Sequence, residues 1–113
     1  MNSGDQKTTQ AINIDQYTDG DEAFKRELLL LMEDNLKEVQ DAALAAMQTN
    51  TLEIFTKACH KIKPTLSMLD DSSLTESVDA VKAEFFNEEK KEKTICNFIF
   101  ICNDFITRLR NAA

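Results

Sequence analysis

Two glycines and one proline serve the whole chain of 113 residues, and that scarcity constrains the fold more than any other feature. All-β and α/β chains need many tight turns, and tight turns draw heavily on glycine and proline. A chain with only Gly4, Gly20 and Pro64 is left with long helices and short connections. Hydrophobic content of 42% and charged content of 29% are ordinary for a globular domain, and the length suits one domain with a single core.

The apolar periodicity divides the chain into four helices. Thr18-Asp19-Gly20-Asp21 is a turn and start signal, and a first helix is predicted from Asp21 to about Gln48, with Phe24, Leu28, Leu31, Met32, Val39, Ala43 and Ala46 on its apolar face. Asn50 and Glu53 form a capping-box pattern for a second helix over Thr51–Leu69. Its stripe is Leu52, Phe55, Cys59, Ile62, Leu66 and Leu69. Ser73 and Glu76 form a second capping box, opening a third helix from Leu74 to about Phe86 that buries Leu74, Val78, Val81 and Phe85. Asn87–Lys93 is a polar connection, or the solvated first turn of a fourth helix. That helix reaches about Arg110, with Ile95, Phe98, Ile99, Cys102, Phe105, Ile106 and Leu109 inward. The predicted architecture is all-α, an antiparallel up-down four-helix bundle over residues 12–113. A polar leader covers 1–11, and a short extra segment around Ile12, Ile14 and Tyr17 is expected to dock on the body as a brief helix.

Net charge is −7 and the sequence pI about 4.6, which argues against nucleic acid as a partner. The charge is uneven. Residues 51–69 hold Lys57, Lys61 and Lys63 against Glu53 alone, a local +2, so the rest of the chain carries −9. An odd cysteine count with no framework spacing fits free thiols in a reducing compartment. Met1–Gln10 lacks the apolar core of a secretory signal, and no apolar run reaches the ~18 residues of a membrane span. A cytoplasmic protein, monomeric and without membrane insertion, is expected, with no surplus apolar face.

The only histidine, His60, falls about 100° of helix rotation off the second helix's apolar stripe. Its face carries Thr56, Lys57, Lys63, Pro64 and Ser67. A lone imidazole among lysines on an acidic chain suggests reaction with an anion, and a phosphorylated ring would be stabilised by those same lysines. Other chemistries fit less well. No glycine loop is available to cradle ATP phosphates. Adjacent Cys59 and His60 point about 100° apart, which defeats both a metal pair and a thiolate–imidazole pair. Cys59 and Cys102 lie on apolar stripes and are read as core. Pro64, placed inside the predicted helix, removes the donor for the His60 carbonyl and is expected to bend the helix.

These residues resemble histidine-containing phosphotransfer (HPt) domains of bacterial multistep phosphorelays. The likeness lies in Ala58, His60, Ile62 and Lys63 on the second helix, approached through Gly20, Asp21, Phe24, Glu27, Leu28 and Leu29, and it spans roughly Ile12 to Leu109. Family members commonly carry glycine after the lysine, where this chain has Pro64, and glycine closing the second helix, where it has Asp70. The resemblance implies a phosphocarrier and not an enzyme with its own ATP site. His60 would take a phosphoryl group from a receiver-domain aspartate and pass it to another. Lys63 would be the electrostatic partner of the phosphorylated ring, and Lys57, Lys61, Pro64, Thr65, Ser67 and Lys82 would line the docking surface. Partners would be receiver domains of response regulators or of a hybrid sensor histidine kinase, which supply the Mg²⁺; the chain itself needs no metal or cofactor. The main alternative is a non-catalytic helical adaptor that keeps the same fold. A thiol-based metal or redox responder, or a domain of a larger hybrid kinase, are further readings.

Overall fold

A computed structural model of the chain describes residues 14–112. All regular structure in that span is helical: α1 (Asp15–Thr18), α2 (Glu22–Thr49), α3 (Leu52–Lys61), α4 (Lys63–Leu69), α5 (Ser72–Glu84) and α6 (Lys91–Ala112). The leader over 1–11, and Ile12 with it, lie outside the described residues. Of the docking segment's described residues, Ile14 is buried while Tyr17 is exposed.

Long-range hydrogen bonds reveal how the helices run. Glu33 in the first half of α2 accepts from Arg110 near the end of α6 (3.0 Å), and the Gln40 amide donates to Asn103 (2.7 Å). Asn50, just past α2, accepts from Lys91 at the start of α6 (2.6 Å). The two helices are therefore antiparallel. The same logic applies to α2 against α3 and α4, where Glu38 pairs with Lys61 and Asn35 with Thr65. Helix α5 packs on α6 and touches α3. The core fills the space between them, with Phe55 and Phe98 edge-to-face across it at 5.2 Å.

Helix termini follow physical rules, but at residues other than those expected. Asp21 caps α2 by accepting the Phe24 amide, and Asp71 caps α5 by accepting the Leu74 amide, both at 3.0 Å. The Ser73–Glu76 capping box is thus displaced by Asp71 and the helix starts at Ser72. Asn50 does not cap α3; it closes α2 in the left-handed region (φ 54°), and Thr51 precedes α3 without a side-chain cap bond. Asp19 and Asp70 adopt the same conformation (φ 49° and 46°). Short polar side chains tolerate that region better than most, so Asp and Asn here do the work glycine usually does.

The expected second helix is two. It is interrupted at Ile62 (φ −95°, ψ 15°), and Pro64 falls in the first turn of α4. First-turn amides lack intrahelical partners, so the proline that would damage a helix interior is accommodated by starting a new helix. Among the residues expected on apolar faces, the exposed ones lie in α2. Phe24 and Leu31 are exposed, while Leu29 and Leu36 join the core in their place. The surface also retains eight exposed large apolar side chains among the described residues, Phe86 and Phe100 the most open, so the apolar faces are less fully consumed than their periodicity implied.

Candidate functional site

His60 occupies the last turn of α3 and is exposed. Among the described residues no hydrogen bond and no ion pair involves its side chain, so its ring is uncommitted; its carbonyl accepts from the Ile62 amide. Its neighbour Cys59 points the other way, into the core. Burial pushes the Cys59 thiol up to about 11, partly countered by the Lys82 ammonium on α5. Lys82 itself is exposed.

The lysines divide into committed and uncommitted groups. Lys57 pairs with Glu53 at 3.7 Å, both side chains open to water, and Lys61 pairs with Glu38 of α2 at 2.8 Å. Lys63 and Lys82 join no ion pair among the described residues. Lys63 is exposed at the start of α4, three positions after His60 and across the break at Ile62. Glu38 narrows the basic patch in a way the local charge count over 51–69 missed, because the carboxylate comes from another helix. The carbonyl end of α3 carries a partial negative charge, which the adjacent cations offset.

Pro64 and Ser67 are exposed on α4 as expected. Thr65 is not. It is 1% exposed, and its hydroxyl accepts a hydrogen bond from the Asn35 side-chain amide at 2.7 Å. A residue expected on the docking surface is instead the contact that seats α4 on α2. The spacing explains it: Thr65 falls three positions after Ile62 and four before Leu69, both on the apolar stripe, so it borders that stripe. Asn35 was missed altogether. The available signal was a polar residue one turn from Leu31 and three from Glu38, at the rim of an apolar face.

Cys102 is buried and its thiol is pushed up to about 12 by burial, with a smaller push from Cys59. Cys96 is exposed. No group of three or more His, Cys, Asp or Glu side chains among the described residues is arranged to hold a metal ion. No helix there is long and apolar enough to cross a membrane. Compared with known proteins, the chain matches no family model, no curated protein and no solved structure significantly.

Proposed function

We propose that the chain is a phosphorelay intermediate built on an HPt-like, up-down four-helix bundle, with α2, the α3–α4 pair, α5 and α6 as its four members. The antiparallel pairing of α2 with both α6 and the α3–α4 pair favours this reading. The observation that carries it is an exposed, uncommitted imidazole on α3 followed by an exposed, uncommitted ammonium at the start of α4.

The chemistry asks little of the carrier. The donor is an acyl phosphate on a receiver aspartate. A ring nitrogen of His60 attacks phosphorus, the P–O bond to the aspartyl carboxylate breaks, and the carboxylate leaves with the electron pair. The ring then sheds its N–H proton to water. Transfer to a second receiver reverses these steps with a new aspartate as acceptor. Mg²⁺ and most of the charge stabilisation come from the receiver. Lys63 offsets the phosphoryl charge at an exposed site, where such a pairing is worth only ~0.2–1 kcal/mol. Weak retention suits a group that must be handed on. Lys57, Lys61, Pro64, Ser67 and Lys82 line the receiver-docking surface, and the setting is the cytoplasm.

The test is incubation with a phosphorylated receiver and Mg²⁺, comparing wild type with His60→Gln. The wild type should take up the phosphoryl group and the variant should not. Equal labelling of both would overturn the assignment.

A further inference from the structure

His60 and Lys63 do not ride on one rigid rod. The first ends α3 and the second begins α4, with Ile62 between them. The backbone across this joint is thinly held. The Ile62 and Leu66 amides reach the carbonyls of Ala58 and Ile62, each at 3.1 Å, but Pro64 has no amide to offer the His60 carbonyl. The placement of Lys63 relative to His60 therefore depends on whatever sets α4 against the rest of the molecule.

Helix α2 supplies two contacts, one on each side of the joint. Glu38 accepts from Lys61 at 2.8 Å on the α3 side, and Asn35 donates to Thr65 at 2.7 Å on the α4 side. They are unequal. The ion pair is open, with side chains 68% and 43% exposed, so water and salt weaken it. The Thr65 hydroxyl is shielded, and a shielded hydrogen bond is both stronger and more directional.

We propose that Asn35 is a positioning residue: by holding the buried Thr65 hydroxyl it fixes the angle of α4 to α3, and so where the Lys63 ammonium lies relative to the His60 ring. The consequence for phosphoryl transfer rests on the phosphocarrier reading; the geometric claim does not. Asn35 touches no phosphoryl group and acts through Thr65 and α4.

Two readouts test it. The α3–α4 angle comes from residual dipolar couplings of backbone amides. The rate of His60 phosphorylation is followed with phosphoramidate, a small donor that needs no receiver. In that reaction the donor's P–N bond breaks, ammonia departs with a proton, and a new P–N bond forms to the ring. Thr65→Val keeps the side-chain shape and removes the hydroxyl; Asn35→Ala removes the donor and keeps the folding question open to a second variant. Both should change the angle and slow labelling by up to about fivefold, the most that an exposed pairing through Lys63 supplies. Thr65→Ser, which restores the hydroxyl, should label within about twofold of wild type. In a Lys63→Met background, Thr65→Val should cost nothing further, since the effect passes through Lys63. An unchanged angle in both hydroxyl-bond variants, or full independence from Lys63, would overturn the proposal. A changed angle with no labelling of wild-type His60 would instead retain the positioning role and overturn the phosphoacceptor reading.

Discussion

Glu33 accepts hydrogen bonds from Arg110 and from Lys37 one turn along α2, and these hold its carboxyl below the ordinary 4.5, against a smaller upward push from burial. A carboxylate held low contributes stability above its unfolded value, and that contribution is lost as pH falls through the lowered folded value. Between about pH 5 and pH 3 the urea midpoint of the wild type should therefore drop more than that of Glu33→Gln, a difference absent near neutrality. The thiols make a second expectation. Cys59 and Cys102 are buried with thiols near 11 and 12, whereas Cys96 is exposed. A native sample at pH 7.5 should consume about one equivalent of an aromatic disulfide reagent quickly, and about three once unfolded, because the thiolate is the reactive form. Rapid reaction of all three in the native state would contradict the core described here. At this scale the sequence was informative about Cys59, Cys102 and His60, whose positions on or off an apolar stripe follow from helical spacing alone. The docking-surface expectation failed at Thr65, which lies three positions after Ile62 and four before Leu69 and so borders the apolar stripe.

Among the helices, Pro64 is the residue whose meaning changed most between one dimension and three. Inside a continuous helix it should cost ~3 kcal/mol. At the start of α4, where a first-turn amide has no partner within the helix, Pro64→Ala should alter the unfolding free energy by less than about 1 kcal/mol, and a loss of unfolded-state restraint makes slight destabilisation the expected sign. A gain of about 3 kcal/mol would mean that the break is strained and that Pro64 imposes it. Helix existence and apolar faces were legible in α5 and α6, where all four and six of seven expected apolar residues are buried. Caps were not. Ser73–Glu76 and Asn50–Glu53 satisfy the capping-box pattern, yet Asp71 caps α5 and Asn50 closes the preceding helix. Several neighbouring residues can cap, and the choice is made by where the chain must turn to pack. Asp70 illustrates the same point: glycine's usual position is filled by an aspartate in the left-handed region (φ 46°), which sequence alone reads as one more acidic corner residue.

For the molecule as a whole, stability should reside in the shared core, where the Phe55 and Phe98 rings meet. Phe98 is fully buried against Phe55, so Phe98→Ala should cost about 3–5 kcal/mol in urea unfolding. Phe100, two residues on and 71% exposed, should change stability by less than about 0.5 kcal/mol when replaced by alanine. Comparable losses at both positions would place the core elsewhere. The all-helical class was readable from glycine and proline scarcity together with period, since those are properties of the chain itself. How the basic patch is trimmed was not, because Glu38 reaches Lys61 from a different helix and no local count includes it.

The account turns on one exposed ring accepting a phosphoryl group. The most direct measurement is peptide-level mapping of the chain after incubation with a phosphorylated receiver and Mg²⁺, combined with the lability of the label. The expected result is a single modified peptide with the group on His60, stable in base and lost in acid. A label on an aspartate, serine or cysteine, or no label from a receiver that hands its phosphoryl group to another carrier in the same assay, would contradict it.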